Sequence, residues 1–229
     1  MIILIAAAVI PAIMLLNYIR KADRLEAEPP ALIRRLVLLG LGATVLAALT
    51  ESLGSAFLSY VFSEGTLIHD LLMYFIVVAV SEEGFKYLLM KKAPWNHPAF
   101  NCVFDGVVYA VAISLGFALW ENIGYVMQFG FGTAIVRAVT AVPGHASFGV
   151  FMGALYGAAK RASLYGDEVT SKKLRSQAVL LPVILHGLYD FIATGESGVY
   201  LVLFFVFIWL LFKKAKQTVK NLSENDAYF

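Results

Sequence analysis

The sequence predicts an all-α, polytopic transmembrane helix bundle of about seven spans, and three observations predict it. Of 229 residues, 60% are hydrophobic and only 15% charged. A soluble domain of this length carries roughly 25% charged residues, so most of this chain has no water-facing surface to decorate. Seven apolar stretches are long enough for a straight or tilted crossing, against the about 20 residues that hydrocarbon demands. The basic residues, finally, concentrate in alternate connections.

The stretches run, in order, over 1–19, 36–62, 68–90, 102–128, 134–159, 176–195 and 197–212. Met1 to Leu16 has no positively charged leader, which predicts a first span rather than a cleaved signal. The connection after it holds Arg20, Lys21, Arg24, Arg34 and Arg35, and the one after span two, around Ser63-Glu64-Gly65, holds no base. Lys91 and Lys92 follow span three; none follows span four, around Phe129-Gly130-Phe131-Gly132. Lys160, Arg161, Lys172, Lys173 and Arg175 follow span five, while Thr194-Gly195-Glu196, after span six, carries none. The tail holds Lys213, Lys214, Lys216 and Lys220. Sixteen of eighteen Lys and Arg therefore alternate, Lys86 and Arg137 being the exceptions. The positive-inside rule then puts the N-terminus outside and the C-terminus inside. Open sheets are excluded because lipid cannot satisfy their edges.

No soluble domain remains once the spans are removed, so residues 1–229 read as one integral membrane domain whose partner is the lipid bilayer. Cys102 is the only cysteine, which excludes an intrachain disulfide and a thiolate zinc site. A net charge of +2 gives no reason to expect a nucleic-acid partner.

Charged groups at the bilayer centre cost about 2.5–3.5 kcal/mol on insertion scales, and they persist where they face the bundle interior or a water-filled cavity. Span three carries Glu82, Glu83 and Lys86; span four Asp105, Glu121 and Asn122; span five His145; span six His186 and Asp190. Glu82 and Lys86, four apart, can pair along one helix face. Glu83 then points about 100° away and is left for another task, such as general base or acid. His186 and Asp190 share a face, where the carboxylate can orient the imidazole as in metal-binding His or simply tie two helices together. At about 1.5 Å per residue, His145, His186 and Glu83 fall in the middle third of the bilayer, with Glu121 nearer the outer face. Two His and two or three carboxylates at similar depth suit a divalent metal, zinc above all. Asp105, near the inner end of span four, reads as a carboxylate favouring the helix dipole. Tyr109 and Tyr189 either orient carboxylates or fill space, and packing is the first reading. Ser81 lacks a Ser-His-Asp constellation, and Asp105 and Asp190 lie at different depths, which argues against an aspartyl pair.

Five motifs, in order, are Glu82-Glu83-Gly84-Phe85-Lys86, Phe104-Asp105-Gly106-Val107-Val108-Tyr109, Gly116-Phe117-Ala118-Leu119-Trp120-Glu121-Asn122, Gly144-His145-Ala146 and His186-Gly187-Leu188-Tyr189-Asp190. Together with the Asp23 to Pro30 segment they resemble the PrsW family of bacterial membrane proteases. That family is similar to the broader CAAX-processing and bacteriocin-immunity membrane proteases, in which a His stands where Phe117-x-x-x-Glu121 here carries Glu. CAAX-type enzymes can use Glu to activate water without a tightly bound metal, whereas PrsW-type proteins are classed with metalloproteases. The resemblance implies a multi-pass protease of the bacterial cell membrane. It also implies a substrate, a single-span anti-sigma factor cut on its extracytoplasmic side to begin a stress-response cascade.

The expected chemistry is peptide hydrolysis by activated water. Glu82 or Glu83 is the base; Glu121, His145 and His186 hold zinc or, without metal, bond the water and oxyanion. Asp190 orients His186, and Asn122 donates to the substrate carbonyl. The same buried set also fits a proton-coupled transporter, or a non-catalytic assembly or sensor subunit whose polar groups only join helices.

Overall fold

The structure is a computed structural model and describes residues 2–229; Met1, the expected start of the first span, lies outside the described residues. Its helices are α1 (Ile2–Ala22), α2 (Pro30–Val61), α3 (Leu67–Leu71), α4 (Val80–Met90), α5 (Val103–Phe129), α6 (Phe131–Val139), α7 (Ala141–Leu164), α8 (Glu168–Ala193) and α9 (Gly198–Asn225). A π-helical stretch, Leu72–Ala79, joins α3 to α4 without a break, and α6 meets α7 at Thr140. These pieces make seven helical rods in the expected order, and six are long and apolar enough to cross a membrane by themselves. The rod Leu67–Met90 is the seventh, short and carrying Glu82, Glu83 and Lys86.

Several rods overrun the expected spans. The charged starts of α2 and α8 lie outside the apolar stretches, yet both helices begin there, α2 with Pro30 at its first turn and α8 with Asp167 accepting from Thr170 N at 3.0 Å. The last helix continues well past 212. Ala215, Val219 and Ser223 keep one face buried, and Ser223 Oγ donates to the Ala22 carbonyl at 2.5 Å. The tail then closes over α5, whose first amides, Val103 N and Phe104 N, donate to Asp226 at 3.2 and 2.9 Å. Backbone donors that the first turn of α5 leaves open are satisfied this way.

The axis of the bundle is α5. Of its most apolar stretch 89% is buried, against 17% for α1 and for α9. Outer rods turn Ile10, Leu38, Leu53, Phe57, Val202 and Trp209 outward, as lipid-facing surfaces should. Helices in lipid associate through close backbone packing at small residues, and α5 meets α7 through Gly106 and Gly153. A Cβ on Gly153 would overlap the Gly106 carbonyl. Gly153→Leu is therefore expected to abolish accumulation of folded protein, measured as monodisperse yield in detergent, whereas Gly124→Leu, where a side chain meets open space, leaves yield unchanged.

At the end of the bundle where α1 turns into α2, Asp23, Glu28 and Asp105 each place an oxygen within 4.8 Å of the others. Asp105 does more than sit near a helix dipole: its Oδ2 accepts from Asn101 N and Cys102 N, both at 2.8 Å. Tyr109, expected as packing, donates to Glu28 Oε2 at 2.5 Å. Burial, helped by neighbouring Asp105, pushes Asp23 up to about 6. Burial also raises Glu28, against the opposing Tyr109 bond. A carboxyl raised on folding contributes stability that is complete below its unfolded value and is lost as pH rises through the folded one. Thermal melting should therefore fall between pH 5 and pH 7, and Asp23→Asn should flatten that slope relative to the parent chain.

Candidate active site

The π-helical stretch precedes the Glu pair, and such turns shift the register of the helix beyond them. Phe75, on this stretch, lies so close to α8 that a Cβ on Gly187 would overlap its ring. That contact sets His186, one residue earlier, against α4. The short α4 then aims three ionisable side chains inward, and all three are buried.

Lys86 is the hub. Its Nζ donates to Glu83 Oε1 at 2.7 Å, Glu82 Oε2 at 3.1 Å and His145 Nδ1 at 3.1 Å, and it sits 3.9 Å from the Phe117 ring centre. Because Lys86 can only donate, His145 Nδ1 accepts, and Nε2–H is free to donate to Glu121 Oε2 at 2.9 Å. Glu121 is held in turn by Arg137 at 2.8 Å. His186 is arranged in parallel: Nδ1 meets Glu83 Oε1 at 2.9 Å and Nε2 meets Asp190 Oδ2 at 3.3 Å. The two imidazoles lie 5.3 Å apart, with Phe148 stacked on His186 at 4.9 Å.

A cavity of about 320 Å³ opens beside this cluster, lined by Glu82, Glu121, His145, His186 and Asp190 among others. Glu83 does not line it. Of the residues singled out in the sequence, Glu82, Glu83, Glu121, His145, His186 and Asp190 thus converge. Asn122 faces away: its amide donates to the Ala8 carbonyl at 2.9 Å and its Oδ1 accepts from Arg137 at 2.8 Å. With both polar ends engaged and no place in the cavity wall, it joins α5 to α1 and α6 and is not placed to meet a substrate carbonyl. Two charged residues of the cavity wall escaped the sequence reading. Glu51, on α2, has an Oε1 that is buried without a hydrogen-bond partner among the described residues, and the rule that flagged Glu82 would have found it. Arg137 stood out only as an exception to the charge alternation.

Glu82, Glu83, His145 and His186 each offer a donor atom within 4.8 Å of the others. Two imidazoles and two carboxylates are a donor set that divalent first-row metals accept, and Glu83 Oε2 is a buried oxygen without a partner among the described residues. Glu121 lies outside this set, behind His145 and against its Nε2, as Asp190 lies against Nε2 of His186. The residues fit a metal provided that Lys86, on its flexible stem, yields the centre.

Residues 28–212 match the profile described as "PrsW family intramembrane metalloprotease". The chain belongs to the PrsW family. It is 36% identical over 228 residues to the Protease PrsW of Oceanobacillus iheyensis, covering 98% of both chains. It is 33% identical over 225 residues to that of Bacillus subtilis, covering 93% of this chain and 94% of the relative. No solved structure is significantly similar. This PrsW-family chain is accordingly a multi-pass membrane protease, and the transporter and assembly-subunit readings are set aside.

Removing one partner of a buried ion pair leaves an uncompensated charge and destabilises by about 3–5 kcal/mol. Lys86→Met is expected to lower stability on that scale, measured by thermal unfolding in detergent, and Lys86→Met/Glu82→Gln to recover part of the loss.

Proposed function

We propose that this protease, one membrane domain over 1–229, hydrolyses a peptide bond in the cavity with Glu82 as general base. The observation that carries this reading is the division between the paired carboxylates: Glu82 lines the cavity, whereas Glu83 is buried between Lys86 and His186. Glu82 takes a proton from water as the oxygen attacks the scissile carbonyl, then passes it to the leaving amide nitrogen. Glu83, His145 and His186 would hold zinc, three protein ligands being the usual number at a catalytic zinc. Bound there, the ion supplies Lewis acidity. Asp190 and Glu121 fix the imidazole orientations.

The substrate we infer is a membrane-anchored protein, specifically a single-span anti-sigma factor, as family membership implies, cleaved at the bacterial cytoplasmic membrane. Placement of the cavity supports extracytoplasmic cleavage. Tyr125, Arg137 and Thr194 line it and lie beside the connections that lack basic residues, which an N-outside, C-inside orientation puts on the outer face.

Glu82→Gln should reduce the cleavage rate of a co-reconstituted single-span substrate by about 10²–10⁴-fold while metal content, read by elemental mass spectrometry, is retained. Glu83→Gln and His186→Ala should lose both metal and cleavage, and chelation should silence the parent chain until zinc is restored. Undiminished cleavage by Glu82→Gln would refute the assignment of the base.

A further inference from the structure

A second cavity lies away from the catalytic cluster. About 890 Å³ in volume, it is formed by α4, the connection after it, and α8. Lys91, Lys92, Lys172 and Arg175 line it, and no carboxylate does. The Arg175 guanidinium lies 5.1 Å over Trp95, and its Nε is buried without a hydrogen-bond partner among the described residues. Its one ion pair among them is a 3.6 Å contact to half-exposed Glu168.

The two walls change character in the same direction. On α8, Lys172 and Arg175 give way one and two turns later to Leu180 and Val183; on α4, Val80 gives way to Tyr87 and then to Lys91. One end of the cavity is therefore cationic and aromatic, and the other apolar. Leu180 and Val80 are exposed, which leaves the apolar end open toward lipid. A free phosphate would need only the cationic end. An amphiphile with an anionic head and acyl chains uses both, and basic pockets between membrane helices favour such headgroups.

We propose that this cavity binds an anionic glycerophospholipid, its phosphate among Lys92, Lys172 and Arg175 and its acyl chains along Val80 and Leu180. The proposal does not rest on the catalytic assignments.

The test titrates full-length protein in neutral detergent with dioleoyl phosphatidylglycerol, dioleoyl phosphatidylcholine and glycerol 3-phosphate, with bound lipid counted by native mass spectrometry. Phosphatidylglycerol is expected to bind at least tenfold more tightly than phosphatidylcholine. Each cation near an anionic lipid contributes about fivefold, so Lys92→Ala/Lys172→Ala/Arg175→Ala should weaken phosphatidylglycerol roughly a hundredfold. Leu180→Gln should weaken it further than it weakens glycerol 3-phosphate. Lys173→Ala, which removes one charge outside the cavity and is compared with Lys172→Ala alone, should change nothing. Should the triple variant fail to fold by circular dichroism, Lys172→Ala and Arg175→Ala are read singly against Lys173→Ala. Equal affinity for the two lipids overturns the proposal. So does glycerol 3-phosphate competing at lipid-like concentration, which would make this a free-phosphate site, and so does an equal loss in Lys173→Ala, which would reduce the effect to surface charge.

Discussion

An ammonium group buried in a membrane bundle has to be surrounded by acceptors, and the arrangement around Lys86 is a consequence of that constraint. Two acceptors, Glu82 and Glu83, come from its own helix; the third, His145, comes from α7, and α5 supplies the Phe117 ring. Glu83 extends the contact to His186 on α8. Four helices are thereby fixed by one cation. Separately, each of these groups is expensive in lipid; together they neutralise one another at hydrogen-bond distance. The same convergence places two imidazoles and two carboxylates within reach of a single ion, so the packing solution and the chemical site are one arrangement.

Polar groups can meet in this way only because the backbones come close enough. Between α5 and α7 the approach is made at Gly106 and Gly153, and between the π-helical stretch and α8 by Phe75 resting on Gly187. Neither contact belongs to the site, yet each sets a depth in it: the first places α7, and hence His145, along α5, and the second places His186 beside Glu83. The small residues within the motifs thus set where the ionisable ones lie.

Much of this was legible in the sequence because the bilayer makes its demands one residue at a time. Apolar run length implied seven rods, and the cost of a buried charge singled out Glu82, Glu83, Glu121, His145, His186 and Asp190. What escaped depends on side-chain direction, which depth along a rod does not encode. Glu121 and His145 come from different rods and still touch, with Glu121 behind the ring rather than at the centre. Asn122, adjacent to Glu121, projects to α1 because neighbours on a helix diverge by about 100°. Lys86 read as the partner of one carboxylate and is the partner of two, plus an imidazole. Helix ends differ from the expected spans where charged turns such as Glu168–Arg175 extend beyond lipid, since apolar run length reports on the membrane and not on the helix.

That same divergence gives the adjacent Glu pair its logic. A carboxylate enclosed between a buried cation and an imidazole is cut off from water, whereas one that also reaches a cavity is not. Consecutive residues on a helix face such different surroundings. Glu83 turns into the bundle and meets Lys86 and His186, and Glu82, still within 3.1 Å of Lys86, also reaches the cavity wall. The two positions are therefore chemically unequal even though the residues are identical. Glu83 thus joins Lys86 to His186 inside the bundle, and of the pair it is Glu82 that lines the cavity.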